Sequence, residues 1–184
     1  MIVVFDASVL VYLIDADAKA PLDPSTGKPL EQCKERIKHL LASLQRQGAK
    51  IVIPTPALAE VLVKAGDAGP ELLQILKSSK HFKVAAFDER AAIEFAASQV
   101  ERANAGKRSA GATRSKSKFD DQIVAIAAVE GATRILSDDK DISRLSEGRF
   151  EVSGVIDLPI PPDKAQSNLD FEVSRPDSPV DDQE

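Results

Sequence analysis

The sequence contains few of the residues from which many functional sites are built. It has one cysteine, Cys33, no tryptophan, one tyrosine and two histidines. A single cysteine excludes an intramolecular disulfide framework and a cysteine-based zinc site, and it indicates a reduced, cytoplasmic protein. No apolar run approaches the roughly 20 residues of a membrane span. The opening segment lacks the basic start of a signal peptide, so we expect no membrane or export role.

Charge is distributed unevenly along the chain. The formal net charge is −5, and residues 159–184 hold seven acidic and two basic residues. The rest of the chain, with 22 residues of each sign, is therefore neutral and remains compatible with a nucleic-acid substrate. The sequence predicts one domain over residues 1–158, followed by an acidic, proline-rich tail over 159–184 that we expect to be disordered.

Short β-branched runs alternate with amphipathic segments. Strands are predicted over residues 2–5, 50–53, 82–85 and 134–136, with an edge strand over 151–156. Helices are predicted over residues 8–14, 31–47, 55–65, 71–77, 88–102, 120–130 and 139–145, with Thr55 and Asp88 as caps. Flexible loops are predicted over 15–30 and 104–118. This alternation predicts an α/β, three-layer sandwich with a mostly parallel central sheet of four to five strands flanked by helices.

Acidic residues follow two of the predicted strands. Asp6 comes directly after the first strand, and Asp138 and Asp139 come shortly after the fourth. Because sites in open parallel sheets form at the carboxyl ends of the strands, we expect these acids to share one edge. Asp138 and Asp141 are alternatives to Asp139, and any of the three is also suited to capping the next helix.

Two further acids lie in apolar helical segments. They are Glu60, in Pro-Ala-Leu-Ala-Glu-Val, and Asp120, in Asp-Asp-Gln-Ile-Val-Ala-Ile-Ala. A carboxylate near a core is costly unless it is paired, caps a helix or binds a metal. Asp120 is also explained as a helix cap, and Glu60 as an exposed helical residue. With histidine and cysteine scarce, such a site has only oxygen ligands, which suits Mg²⁺ or Mn²⁺.

Four short motifs follow one another along the chain: Val-Val-Phe-Asp6-Ala-Ser8, Pro54-Thr-Pro-Ala-Leu-Ala-Glu60-Val, Phe119-Asp120-Asp-Gln-Ile123-Val-Ala125-Ile-Ala127 and Ile135-Leu-Ser137-Asp-Asp139-Lys-Asp141-Ile. In this order they resemble the motifs of PIN-domain nucleases, and most closely those of VapC-type toxins of toxin–antitoxin pairs. The resemblance covers about residues 1–157 and predicts a PIN-like sandwich. The family spacing selects Asp120 over its neighbour Asp121. The loops at 15–30 and 104–118 are longer than in compact toxins.

The resemblance implies a metal-dependent endoribonuclease. The catalytic and metal site for Mg²⁺ or Mn²⁺ would be formed by Asp6, Glu60, Asp120 and Asp139. Ser8 and Ser137 would orient the carboxylates or water without binding the metal themselves. It further implies an RNA substrate, a small antitoxin protein as partner, and a homodimer. The basic residues Lys107, Arg108, Arg114, Lys116 and Lys118 are candidate RNA contacts, with a solvated loop as the alternative explanation.

Other functions remain open. One is a catalytically inactive PIN-like module that binds RNA or protein; loss of one of the four acids would favour it, and all four are present. A haloacid-dehalogenase-type phosphatase also begins with an apolar strand ending in Asp. That enzyme needs a second Asp two residues later, where this chain has Ser8. A response-regulator receiver needs an early acidic pair, and only Asp6 is present.

Overall fold

The computed structural model describes residues 1–15, 18–106, 114–146 and 148–162, with only the backbone described for residues 14 and 114–117. These residues form five strands and seven α-helices. In chain order they are β1 (Ile2–Phe5), α1 (Ala7–Ile14), α2 (Cys33–Arg46), β2 (Lys50–Pro54), α3 (Thr55–Ala65), α4 (Gly69–Ser78), β3 (Phe82–Ala85), α5 (Glu89–Asn104), α6 (Arg114–Val129), β4 (Arg134–Leu136), α7 (Lys140–Leu145) and β5 (Glu151–Ser153). Short 3₁₀ turns cover Gly66–Ala68 and Val155–Asp157.

The five strands form one sheet in which every pairing is parallel. Their order is β3-β2-β1-β4-β5, so β1 lies at the centre, and Val4 pairs with Val52 on one side and Ile135 on the other. Val4 and Val52 are fully buried, as expected for β-branched side chains in a sheet covered on both faces. The predicted α/β sandwich is confirmed, and the sheet is entirely parallel.

Helices cover the two faces of the sheet. The chain moves from β1 to β3 in one direction and then returns across β1 to β4 and β5. With right-handed crossovers, α1 to α4 lie on one face and α5 to α7 on the other. The helix contacts agree, since α1 packs on α2 and α3, while α6 packs on α5 and α7. Helix α3 also contacts α6, which belongs to the opposite layer.

Several predicted boundaries were wrong. Helix α6 begins at Arg114 and not at Asp120, so the end of the predicted basic loop is helical. Extending a helix that has already formed costs no new nucleus, and Arg and Lys favour it. Thr55 does not cap α3: Pro54 occupies that position, and Thr55 Oγ1 accepts the Phe87 N–H at 3.2 Å. Asp88 caps α5 as predicted, accepting the Ala91 N–H at 3.0 Å.

The core and the helix ends follow from the sequence. Large aliphatic side chains, among them Ile51, Ile123 and Ile135, are buried between the sheet and the helices. Helix α6 ends before Gly131, whose φ of +68° is the left-handed conformation that glycine adopts at least cost. Across the described ranges, no helix has both the length and the apolar character needed to cross a bilayer.

Candidate functional site

The site is built where β1 and β4 end side by side. The Asp6 N–H donates to the Leu136 carbonyl at 3.0 Å, which keeps the two carboxyl ends level. Within the sheet, β2 lies next to β1 on one side, and β4 lies next to β1 on the other. The connection that follows β1 leads to β2 and therefore away from β4. This is the switch point at which parallel sheets place their binding crevices. The prediction that residues 6 and 137–139 share one edge is therefore confirmed for the backbone.

The Asp6 carboxylate is directed into this edge and not towards the helix that follows it. Asp6 occupies the N-cap position of α1 but makes no side-chain cap hydrogen bond. Only 7% of its surface is exposed. Its Oδ2 accepts hydrogen bonds from the Ser8 and Ser137 hydroxyls, each at 2.8 Å. Both hydroxyls use the same carboxylate oxygen, so Oδ1 takes part in neither of these bonds.

Ser8 and Ser137 also hold the turn after β4. Ser8 Oγ accepts the Asp138 N–H and Ser137 Oγ accepts the Asp139 N–H, each at 3.0 Å. Each hydroxyl thus donates to Asp6 and accepts from one of two consecutive backbone amides. We call Ser8 and Ser137 the hydroxyl pair. Their predicted role in orienting a carboxylate agrees with these contacts, which fix Asp6 relative to residues 138 and 139.

The three candidates for the fourth acid have different partners. Asp138 Oδ1 accepts the Val155 N–H at 2.7 Å. Asp139 Oδ1 accepts the Asp141 N–H at 2.8 Å, so Asp139 caps α7, the structural role considered for it. Asp141 forms an ion pair with Arg144 at 3.0 Å on the same short helix. Asp139 and Asp141 thus each have a local structural contact, whereas the hydrogen bond of Asp138 reaches Val155, beyond β5.

The carboxyl group of Asp138 lies among other negative charges. Its partial burial raises the pKa of Asp138, although the residue as a whole is exposed, and the nearby charges of Asp6 and Asp157 raise it further. The Val155 N–H opposes these effects by stabilising the charged form. Asp6 and Asp138 thus place two carboxyl groups near each other at the ends of β1 and β4.

Asp120 and Asp121 have clearly different environments. Each is 6% exposed, and they occupy adjacent positions in the middle of α6. Asp121 accepts a hydrogen bond from Gln99 Nε2 at 2.6 Å and pairs with Arg102, both on α5. It therefore joins two helices. Asp120 does not occupy an N-cap, because the helix begins at Arg114, so the capping explanation for Asp120 is wrong.

Helix lengths place Asp120 near the same edge. Helix α6 leads into β4 from the opposite direction, and Asp120 lies nine residues before its end at Val129. That is about 14 Å along the helix at ~1.5 Å per residue. The path from Thr133 to Ser137 covers about 13 Å at ~3.3 Å per residue. Asp120 is therefore level with the carboxyl end of β4, while its side chain is buried.

Glu60 is the most exposed of the predicted acids. It lies in the middle of α3, which follows directly from the end of β2, and the residue is exposed to solvent. Its helix contacts α6, which carries Asp120. Within the described residues, no three side chains of Asp, Glu, His or Cys are gathered closely enough to form a metal-binding group. The predicted four-acid cluster is thus not preassembled in this part of the structure.

The donor chemistry nevertheless suits a hard divalent cation. The acids near the ends of β1 and β4 offer carboxylate oxygens, and serine hydroxyls hold the Asp6 carboxylate. Mg²⁺ and Mn²⁺ prefer such oxygen ligands and complete their shells with water. Asp6 is the best placed residue, because its buried carboxylate is held by the hydroxyl pair through one oxygen only.

Most of the predicted RNA-contacting side chains lie outside the part of the chain that the structure describes. Lys107 and Arg108 lie outside the described residues. Arg114 and Lys116 belong to the first turns of α6, and only their backbone is described. Lys118 is exposed on the same helix, two residues before Asp120. Three of the five basic residues therefore lie on the helix that carries a candidate site acid.

A separate apolar cleft lies between α1, α2, α3 and α4. Its volume is about 620 Å³, and its lining includes Tyr12, Leu41, Ile75 and Phe82. Burial raises the pKa of Tyr12 to about 12, with smaller contributions from Cys33 and Asp138, so its phenol is neutral at physiological pH. Ile75 is 55% exposed although it is strongly apolar. The cleft is therefore suited to apolar side chains from a partner.

The network at Asp138 was missed by sequence reasoning, which treated Asp138 only as a substitute for Asp139. Its partner Val155 and the neighbouring Gly154 lie beyond β5, in a segment predicted as plain edge strand. Gly154 is the one signal that was present, since glycine after a strand marks close approach of another group.

No protein-family model matches this sequence, and no curated protein matches it. Solved structures, in contrast, share its fold. VapBC2 of Rickettsia felis bound to a fragment of its promoter DNA is 16% identical, covers 84% of this chain and 98% of its own, and has a TM-score of 0.57. DNA-bound VapBC of Salmonella typhimurium gives 14% identity, 84% and 98% coverage, and a TM-score of 0.54.

A third neighbour is VapC20 of Mycobacterium tuberculosis, a toxin that cleaves the sarcin–ricin loop. It is 13% identical over 77% of this chain and 93% of its own, with a TM-score of 0.51. At such low identity the comparison shows the fold alone. The resemblance to PIN-domain VapC proteins is confirmed at that level, and the chain has a PIN-like α/β fold.

Proposed function

We propose that this chain is a metal-dependent endoribonuclease that hydrolyses RNA phosphodiester bonds. The observation that carries the proposal is the buried Asp6 carboxylate at the β1–β4 switch point, held by Ser8 and Ser137 through one oxygen. A buried carboxylate that neither caps its helix nor pairs with a base is costly without a further ligand, and a cation supplies one. The shared fold with a loop-cleaving VapC toxin supports the same function.

The residues have distinct roles in this proposal. Asp6 and Asp120 are direct ligands of Mg²⁺ or Mn²⁺, and Glu60 and Asp139 complete the site directly or through water. The bound cation would supply an activated water and neutralise charge on the phosphate. Asp139 caps α7 and Glu60 is exposed, so both acids would have to turn towards a cation held by Asp6 when it binds. The hydroxyl pair keeps Asp6 oriented throughout.

The basic residues would hold the RNA. Lys107, Arg108, Arg114, Lys116 and Lys118 precede Asp120 along the chain, and the last three start the helix that carries it. Contacts from these side chains to phosphates add affinity that falls with salt. We therefore propose that RNA approaches the site along the N-terminal end of α6.

A toxin role also implies protein partners. Two of the neighbours are VapBC complexes, which supports a small antitoxin as the partner of this chain. We propose that the antitoxin uses the apolar cleft between α1 and α4, because Ile75 is exposed there beside other apolar side chains. A homodimer is proposed as well, with the outer face of α5, where Ile93 is 64% and Val100 is 60% exposed, as its contact surface.

Cleavage of a generic single-stranded RNA tests the function. We expect the purified chain to cleave it in Mn²⁺, to stop in excess chelator, and to lose at least about 100-fold in rate with Asp6→Asn. Asp67→Asn is the matched control, since Asp67 is an exposed aspartate on the 3₁₀ turn Gly66–Ala68. Equal activity in Asp6→Asn and wild type would identify a contaminating nuclease. RNA binding without cleavage in any divalent metal would support the inactive PIN-like module instead.

A further inference from the structure

One side chain ties the turn after β4 to the turn after β5. Asp138 Oδ1 accepts the Val155 N–H at 2.7 Å, and the Asp138 N–H donates to Ser8 Oγ at 3.0 Å. The parallel pairing of β4 with β5 extends to the residue before Asp138, because the Ser137 N–H donates to the Ser153 carbonyl at 3.1 Å. Asp138 thus connects the 3₁₀ turn Val155–Asp157 to one member of the hydroxyl pair.

This contact requires glycine at position 154. A Cβ on Gly154 would lie 2.5 Å from Asp138 Oδ1, closer than real contacts allow. The backbone φ of Gly154 is −87°, so the requirement comes from space and not from backbone strain. Gly154 also donates its N–H to Asp157 Oδ2 at 2.8 Å, which closes the same turn. Absence of a side chain at Gly154 is therefore what lets Asp138 reach Val155.

We propose that Asp138 is a positioning residue for the metal site and not one of its ligands. The inference rests on the proposed function, since it concerns how the proposed ligands are held. The Val155 N–H fixes the Asp138 side chain, and this places its backbone amide against Ser8 Oγ. Ser8 in turn donates to Asp6 Oδ2, the candidate ligand. The next residue, Asp139, is held by the other member of the hydroxyl pair, because Ser137 Oγ accepts the Asp139 N–H.

Three variants separate positioning from ligation. Asp138→Asn keeps an oxygen that can accept the Val155 N–H but removes the charge. Asp138→Ala removes the acceptor. Gly154→Ala leaves every carboxylate in the chain intact and displaces the Asp138 side chain through the added Cβ. If Asp138 were a metal ligand, the first two changes would lower Mn²⁺ affinity most. If it is a positioning residue, the second and third changes lower the affinity.

Binding of Mn²⁺ to the full chain, followed by electron paramagnetic resonance, is the readout. We expect Asp138→Asn to stay within about threefold of the wild-type affinity, and Asp138→Ala and Gly154→Ala each to lose about 10- to 100-fold. Gly154→Ala combined with Asp138→Ala should be no weaker than Asp138→Ala alone, because the clash disappears with the carboxylate. Asp120→Asn, which changes a proposed direct ligand outside this turn, is the comparison for loss of a ligand. Unfolding curves without metal establish that each variant is folded at the assay temperature.

The outcomes distinguish the two proposals. A wild-type chain that binds no Mn²⁺ and cuts no RNA overturns the proposed function, and the positioning role with it. A wild-type chain that binds Mn²⁺ while Asp138→Asn loses as much affinity as Asp120→Asn overturns the positioning role alone. Unchanged affinity in Gly154→Ala, or strictly additive losses in the double variant, would also overturn it.

Discussion

Ser137 Oγ donates a 2.8 Å hydrogen bond to Asp6 Oδ2, joining residues that are 131 positions apart in the sequence. The same oxygen of Ser137 accepts the Asp139 N–H. One hydroxyl therefore sets the geometry between the acid at the end of β1 and the acid after β4. Removing this hydroxyl would delete both hydrogen bonds and leave the two candidate ligands themselves unchanged.

Replacing Ser137 with alanine should therefore weaken metal binding while both carboxylates stay in place. We expect Ser137→Ala to lower Mn²⁺ affinity by about 10- to 100-fold, the range typical of residues that orient metal ligands. Ser137→Thr keeps the hydroxyl and should remain close to wild type. Calorimetric titration of Mn²⁺ into both variants measures the difference. Equal affinities in the alanine and threonine variants would show that the hydroxyl does not orient the site.

Asp121 should behave as a structural residue although it adjoins Asp120. Its carboxylate pairs with Arg102 and accepts from Gln99, so Asp121→Ala leaves both donors on α5 without their acceptor. Breaking a buried ion pair costs about 3–5 kcal/mol, and partial exposure of Arg102 favours the lower end of that range. Urea unfolding of Asp121→Ala should show a loss of about 3 kcal/mol.

The matched comparison is Asp120→Asn, which changes the neighbouring buried carboxylate. Below the unfolding transition, we expect Asp121→Ala to keep its Mn²⁺ affinity and Asp120→Asn to lose it. The reverse pattern, with Asp121→Ala losing metal and keeping stability, would mean that the family spacing selected the wrong acid of the pair.

The fold was predictable because its signals are local. Runs such as Ile-Val-Val-Phe and Ile-Val-Ile are typical of buried strands in a parallel sheet, and Asp88 and Gly131 mark helix ends at short range. The start of α6 at Arg114 was missed because a basic, serine- and alanine-containing segment has no periodic apolar face. Its helicity depends on the turns that follow it.

The site was predictable only in part. Its location at the ends of β1 and β4 follows from topology, and the hydrogen bonds of Asp6 to Ser8 and Ser137 agree with the motif. The partners of Asp121 and Asp138 are Arg102 and Val155, which are remote in sequence and carry no motif of their own. Whether Glu60 and Asp120 reach the same cation as Asp6 stays a prediction.

The C-terminal boundary of the domain should lie just after Leu158. Arg36 is buried in α2, and its guanidinium donates to the Leu158 carbonyl at 2.5 Å and the Glu31 carbonyl at 3.1 Å. The Leu158 side chain is 2% exposed. A chain ending at Pro162 retains these contacts, so its unfolding free energy should stay within about 0.5 kcal/mol of the full chain.

A chain ending at Asp157 provides the control for that truncation. It loses the buried Leu158 side chain and the shorter carbonyl hydrogen bond of Arg36 Nη1, and it keeps only the longer bond from that nitrogen to the Ile156 carbonyl, at 3.4 Å. The combined cost should be about 3 kcal/mol. If both truncated chains were equally stable, the Arg36 contact would not define the boundary. If both were strongly destabilised, residues after 162 would belong to the domain.

Cys33 should be a slow thiol in the native protein. It is 6% exposed, and burial raises its pKa, with a further increase from the Asp138 charge and an opposing effect of Arg36. At any pH near neutrality the thiolate fraction is therefore below that of a free cysteine. We expect a disulfide reagent at pH 8 to react on the order of 100-fold more slowly than in denaturant, because reaction requires local opening. Equal rates would mean that the start of α2 is open in solution.

The cleft between α1 and α4 gives the sharpest test of the proposed antitoxin. A short DNA-binding protein encoded immediately upstream would be the candidate, and it should form a stoichiometric complex that inhibits RNA cleavage.

Ile75 lines the cleft and is 55% exposed, so Ile75→Glu should fold normally and lower the affinity of the complex by at least about tenfold. Val63→Glu is the matched control, because Val63 is 82% exposed and does not line the cleft. Size-exclusion chromatography and titration of the mixed proteins separate the outcomes. A charge buried in an apolar contact costs more binding free energy than the same charge outside it. If Val63→Glu lowered the affinity of the complex and Ile75→Glu did not, the antitoxin would therefore bind another surface.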